Sequence, residues 1–283
     1  GVTVPSITLQ TLNQNAIESI SILKDAAAAA IYGAQAAGGV ILITSKKGKA
    51  GKVTFDYSGQ SGVDWAANIP GRMSLEEEAV FSNLARKNSG SGAEYSEFDL
   101  EMIRNKIPAI VNPADTTQWN FYNQQNLADQ VLKKTTSMQM HNITAKGGNE
   151  NLNFLISGGY YNKKGLFKIG PDQLTRYNLR VNLGARLTKK LSLDSRIAYT
   201  NELTEQSSRG ASGQGLIYDI YRLRTRTPFF TPLGQYNGAG SGATTYANLA
   251  EGGYNNLSRN FFDGTFTFKF ENLVKGLTLR SVA

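Results

Sequence analysis

Residues 176–187 read RYNLRVNLGARL and alternate with a period of two. Tyr177, Leu179, Val181, Leu183, Ala185 and Leu187 fall on one face, and Arg176, Asn178, Arg180, Asn182, Gly184 and Arg186 on the other. Successive side chains of a strand point to opposite sides, so this segment is a strand with one apolar and one polar face.

The same alternation recurs on either side. In 191–200, Leu191, Leu193, Ile197 and Tyr199 oppose Asp194 and Arg196; in 261–270, Phe262, Phe266, Phe268 and Phe270 oppose Asp263, Thr265, Thr267 and Lys269. Residues 152–161 (Leu152, Phe154, Ile156, Tyr160) and 53–63 (Val53, Phe55, Tyr57, Val63) follow it less strictly. The run 138–147 follows it least, and a last run starts at Leu277. No charge stands on these apolar faces. A lipid-facing Arg or Lys costs about 2–4 kcal/mol at mid-bilayer, so a barrel demands this, but the inner face of a soluble sandwich does too.

The connections separate the two. They are long at 64–137, short at 147–151, medium at 164–175, short at 188–190, long at 201–260 and short at 271–276. Tight turns at one end and long loops at the other are the asymmetry of an outer-membrane barrel. Tyr160, Tyr161, Tyr177, Tyr199, Phe261 and Phe262 all fall beside the longer loops, as a girdle at headgroup level would. A sandwich has no reason to place them there.

Composition agrees. The 283 residues hold 13 Tyr, 13 Phe, 2 Trp and 29 Gly with 18% charged residues, a mixture that suits strands and turns. There is no Cys, hence no disulfide and no Cys-ligated metal. No apolar run reaches the length of a membrane helix. The net charge of +8 is scattered in ones and twos, Lys46, Lys47, Lys49 and Lys52 being the densest group, so no nucleic-acid partner is expected. The opening GVTVPSITL carries no leader and the final LTLRSVA stops within an alternating run, so both ends read as cut.

Upstream, residues 17–48 read IESISILKDAAAAAIYGAQAAGGVILITSKKG. Ile20 and Ile22 alternate with serines; Asp25 caps a helix over Ala26–Ala30 that stops near Gly33; Val40 to Ile43 predicts a strand buried on both faces. The unit is β-α-β. Gly33, Gly38 and Gly39 lack the spacing of a nucleotide loop and read as packing and turn residues.

This segment closely resembles the C-terminal end of the plug domain of TonB-dependent receptors. The wording LKDAAAAAIYG resembles their SusC/RagA branch. The resemblance covers about 32 residues directly and continues more weakly to about residue 200. It implies a mostly β fold: a partial transmembrane antiparallel β-barrel (53–283) with long external loops, preceded by the βαβ C-terminal part of a plug (1–48). Plugged transporters have about 22 strands, so roughly two thirds of the wall would lie elsewhere, and this piece alone is expected to aggregate. The implied function is active import of an oligosaccharide or peptide across the outer membrane. The implied partners are the TonB–ExbB–ExbD energising complex, a SusD-like surface lipoprotein, the nutrient and outer-membrane lipid. Arg180, Arg186 and Arg196 would line a stoppered polar lumen. Two other readings remain at this point: a non-transporting soluble or surface-attached glycan-binding β-protein, and a siderophore or cobalamin receptor.

Catalytic, cofactor and metal sites are not expected. His141 is the only histidine, which removes His-based triads and multi-His metal sites; at a predicted strand start it reads as structural or interfacial. Ser74 and Glu77 form a capping box ahead of Ala79, Val80, Phe81 and Leu84, so Glu76–Glu78 read as helix-start acids. Substrate contacts are sought among loop aromatics: Trp65, Trp119 and Tyr236 first, with Tyr122, Tyr218, Tyr221, Tyr246 and Tyr254 behind them. The glycine-rich 234–243 reads as a mobile external loop.

Overall fold

A computed structural model describes residues 17–24, 32, 39–48, 50–65, 71–208, 215–238, 244–272 and 274–283. The expected alanine helix at 26–30 and its glycine stop lie outside the described residues. The strands flanking it, β1 (Ile17–Leu23) and β2 (Val40–Ser45), pair antiparallel, with Leu23 opposite Val40. Val40–Ile43 is not buried on both faces as expected. Ile41 and Leu42 are exposed, because the described residues supply no layer against this two-stranded sheet.

The rest is built on one seven-stranded antiparallel sheet in the order β11-β10-β9-β8-β7-β6-β3. Its strands are β3 (Gly51–Trp65), β6 (Thr135–Gly148), β7 (Leu152–Lys164), β8 (Asp172–Arg186), β9 (Leu191–Ser207), β10 (Tyr254–Glu271) and β11 (Thr278–Val282). Every alternating run of the sequence is one of these strands, and the tight turns fall together at one end. Two further short strands, β4 (Ala109–Val111) and β5 (Trp119–Phe121), form a hairpin in the first long loop. Among the described residues no helix is long and apolar enough to cross a membrane; the strands do not depend on one.

The burial of the sheet is inverted relative to a protein folded in water. On the central strands the polar face is covered: Asn142, Ser157, Asn182 and Glu202 are each at most 6% exposed. On the opposite face Ile143, Ile156, Tyr177, Leu179 and Tyr199 are 41–56% exposed. The register aligns these faces across strands, with Ile156 opposite Val181, Val181 opposite Ile197, and Tyr199 opposite Phe262. Burying an aliphatic or aromatic side chain is worth about 1.5–3 kcal/mol, so a wall of exposed Ile, Leu, Val and Phe is stable only against an apolar medium. A sandwich would need a second sheet over this face, and the described residues provide none.

The apolar face ends on an aromatic row. Tyr57 and His141 stack at 6.2 Å, His141 and Tyr160 at 6.4 Å, and Tyr160 meets Tyr177 at 5.3 Å. Tyr199 and Phe262 continue the row. Beyond it the same face turns polar: Asn162 donates to Thr175 Oγ1 at 2.9 Å and Asn201 to Asn260 Oδ1 at 2.8 Å. At about 3.4 Å per residue and a tilt of about 40°, the outward run 191–199 climbs about 20 Å, close to the roughly 25 Å band of outer-membrane barrels. Two aromatics expected in the girdle are not in it. Tyr161 and Phe261 lie opposite Arg176 and Thr200, which places them on the polar face, because adjacent residues of a strand cannot share a side. His141 is not at a strand start either: β6 begins at Thr135, and His141 is inside the row, its Nδ1 2.8 Å from Tyr57 Oη.

The long loops carry the apolar core. Among the described residues, Leu155 is the only buried hydrophobic residue that belongs to the sheet. Helices α1 (Leu75–Asn88) and α2 (Glu97–Arg104) bury Leu75, Ala79, Leu100 and Ile103 around Tyr95 and Tyr122. Helices α3 (Leu127–Val131), α4 (Gly215–Arg222) and α5 (Thr244–Ala250) bury Leu127, Val131, Leu216, Ile220, Leu249 and Phe229, with Phe167 packed against them. The capping box at Ser74 and Glu77 is present, and Ser96 with Asp99 makes a second. Leu75 and Ala79 form the buried side of α1, while Val80, Phe81 and Leu84 are exposed.

Candidate functional site

The polar face of the sheet and the loop end above it are where this chain can meet a solute. Arg180, Arg186 and Arg196 share the polar face with Asn182, as period two requires: Asn182 is paired with Arg196, and Arg180 with Ala198. Arg180 is half-buried and Arg196 exposed. Nearer the loops, Arg176 donates through Nε and Nη2 to Glu202 at 3.0 and 2.6 Å, and Arg259 reaches the other carboxylate oxygen at 3.4 Å. On the same face Lys146–Asp56 at 2.7 Å ties β6 to its neighbour β3, and Lys163–Asp64 at 2.8 Å reaches from β7 across β6 to β3. Guanidinium forks suit anionic and hydroxyl-rich solutes, while the cross-strand pairs stiffen the wall.

The link after β2 lies against this wall. Asn182 Nδ2 donates to the carbonyl of Lys46 at 2.6 Å, and a Cβ added to Gly48 would stand 2.4 Å from the carbonyl oxygen of Phe154. Only a glycine fits that approach. Chain emerging from the two-stranded sheet is thus held on the polar side, where it obstructs whatever space the wall encloses.

At the loop end three connections interlock. Residues 71–134 contribute α1 to α3, 165–171 contribute Phe167 and Ile169, and 215–253 contribute α4 and α5. Leu132 pairs with Phe167, and Lys133 and Lys168 exchange backbone bonds with Leu166 and Val131 at 2.7 and 2.8 Å. Glu94 sits under Arg224 and Arg226; burial alone would raise its pKa, but the Ser82 hydroxyl and the two guanidiniums outweigh burial and hold it below the usual carboxylate range. At Asp99 burial is again outweighed, here by the Ser96 hydroxyl and amide and by the Tyr122 hydroxyl. Tyr122 itself is pushed up to about 12, first by burial and then by its bond to Asp99.

The three aromatics singled out as substrate contacts are dispersed. Trp65 ends β3 on the outward face, sharing the parity of Val53, Phe55 and Tyr57. Trp119 opens β5, opposite Val111. Tyr236 belongs to a loop cluster: its ring is 5.4 Å from Phe230 and 6.3 Å from Tyr246, and its hydroxyl donates to Glu251 at 2.6 Å. That bond, before burial, raises the Tyr236 pKa. Tyr236 and the buried Asn237, whose backbone amide donates to the Phe229 carbonyl at 2.8 Å, pin the first half of the glycine-rich stretch; 239–243 lies outside the described residues. Tyr122 is buried, so it braces its loop. The clasp around Glu94 had no signal in the sequence, since its members are about 130 residues apart.

Relatives of the chain agree with this geometry. It is 31% identical over 263 residues, 91% of its length, to TonB-dependent receptor P26 of Formosa agariphila. It is 31% identical over 177 residues, 62% of its length, to TonB-dependent receptor SusC of Bacteroides thetaiotaomicron. The chain belongs to the SusC/RagA-type TonB-dependent receptors. It spans 24% and 15% of those two relatives. Among solved SusC/RagA-type folds, the RagAB peptide importer in its closed-closed state superposes with a TM-score of 0.73 at 20% identity, covering 100% of this chain and 33% of that one. A second RagAB peptide transporter structure gives 0.71 at 20% identity, over 97% of this chain and 32% of that one. No protein-family model matches the chain.

Proposed function

We propose that the chain is part of an outer-membrane transporter that imports a nutrient too large for porins, an oligosaccharide or a peptide, using energy delivered by the TonB–ExbB–ExbD complex. The observation that carries this reading is the inverted sheet: apolar residues outward up to an aromatic row, arginines and amides inward, with the link 46–48 held against the inward face. In this reading residues 1–48 are the end of a plug and 53–283 the first strands of the barrel, located in the outer membrane. A SusD-like lipoprotein covers the loop end. The plug-side link blocks passive flow, and opening requires it to rearrange under force.

Tyr236 is the aromatic we retain as a substrate contact, because its ring is partly open beside Phe230 and its hydroxyl is oriented by Glu251. Trp119 is kept as a second contact on the first loop. Trp65 fits an interfacial role instead, since Trp collects at the membrane–water boundary. Uptake by cells carrying the complete receptor tests the reading. Deleting TonB is expected to abolish it, and unimpaired uptake would overturn active transport. Solubility of the complete receptor without detergent, with no heat-modifiable gel migration, would favour the non-transporting glycan binder.

A further inference from the structure

Residues Arg224-Thr225-Arg226 of the third long loop are gripped on every side by the first. The Thr225 amide donates to Glu78 Oε2 at 3.0 Å and its hydroxyl to the same oxygen, while its carbonyl accepts from the Gln125 amide at 2.6 Å. Thr225 is only 3% exposed, so all its polar groups are satisfied by one neighbouring loop. Arg224 pairs with Glu94, and Arg226 lies 3.7 Å from Glu94 and 4.6 Å over the Tyr95 ring. From the other direction, Arg72 reaches back to the carbonyls of Ile220 and Leu223 and closes the C-terminal end of α4. Carbonyls at a helix end have no partner within the helix, and a guanidinium there satisfies them and complements the dipole.

We infer that this clasp makes the first and third loops one rigid block, which keeps its internal contacts throughout a transport cycle. Separating the loops would strip the part-buried Glu78 and Thr225 of each other, leave Glu94 without its two guanidiniums, and break the shared buried core of Leu127, Val131, Leu216 and Ile220. A moving lid needs contacts that are cheap to break, such as few apolar neighbours and solvent-exposed bonds. This seam has the opposite character. Entry of a solute therefore takes place around the block or by moving it whole, never by parting 71–134 from 215–253.

The test uses the complete receptor with Glu78→Cys and Thr225→Cys, bridged by a short bis-thiosulfonate linker; this stretch of the receptor has no cysteine of its own. Uptake at the level of the unbridged double variant is the expected result. Uptake lost on bridging and restored by reductant would overturn the inference, because it would mean the seam must open. Hydrogen exchange supplies an outcome independent of uptake. The segments 75–104 and 216–226 are expected to gain exchange together in Glu94→Gln, and faster exchange confined to one loop would also overturn it. The uptake arm rests on the transport reading above. Absence of TonB-dependent uptake in the unbridged receptor would sink that reading and leave the exchange arm to decide the clasp.

Discussion

Val181 stands midway up the outward face, between Ile156 and Ile197, while Tyr177 stands in the aromatic row. The two sites share a face and differ in depth, and Tyr177 also packs on Tyr160. Val181→Arg is expected to cost the complete receptor about 2–4 kcal/mol, and Tyr177→Arg about 0–1 kcal/mol. Denaturant unfolding from lipid bilayers reads both, and equal losses would contradict the depth assigned to this face. Gly48 offers a second test at this scale. A side chain there meets the backbone of Phe154, so Gly48→Val is expected to loosen the link from the wall, seen as faster proteolysis near residues 46–50, and an unchanged rate would contradict the close approach. Residue faces were largely readable from the sequence, because parity follows from strand geometry. Tyr161 and Phe261 went astray where proximity to a loop was read without parity, and Trp65 where it was read as a loop residue although it continues β3.

Among the elements, the first loop carries groups that titrate at both ends of the pH range. Asp99, with its folded pKa lowered, contributes stability that is fully present above the ordinary carboxylate value near 3.8 and is lost as pH falls through the lower folded value. Tyr122 acts at the other end. Its pKa is raised to about 12, so its contribution is complete below the ordinary value of 10.0 and is lost as pH climbs from there towards 12. Protease protection of residues 75–122 is therefore expected to hold across neutral pH and fail at both extremes, with the alkaline failure reduced in Tyr122→Phe and what remains carried by Tyr95, whose pKa burial also raises. Ser96→Ala should shorten α2 at a cost of about 1 kcal/mol. The box at Ser74 was legible in sequence, and the Ser96–Asp99 spacing carried the same signal unread. Strand ends were less legible. β9 runs to Ser207 and β10 starts at Tyr254, well past the alternating runs, because beyond the aromatic row both faces are largely polar and the contrast between them fades.

At the scale of the whole chain, the sheet presents an apolar face and two strands, β3 and β11, each with one edge unpaired among the described residues. Polypeptide 1–283 produced alone is expected to stay dispersed only in detergent or lipid, and a monodisperse detergent-free monomer in the ultracentrifuge would contradict the inverted sheet. The architecture of the wall was readable in advance because strand and turn signals are local. The cap was not, because its core unites aliphatic residues from loops far apart in the chain, none of which shows a period of its own.

The pairing scheme also implies an order of assembly. β7 through β11 each join the strand before them, mostly across short connections, so these hairpins close at little entropic cost. β3 is different: its partner is β6, and all of 66–134 must be looped out before the two can meet. In pulse-labelled folding, amides of β7, β8 and β9 should gain protection ahead of those of β3. The strand that follows the proposed stopper in the chain would then be the late one, added after much of this wall has been raised.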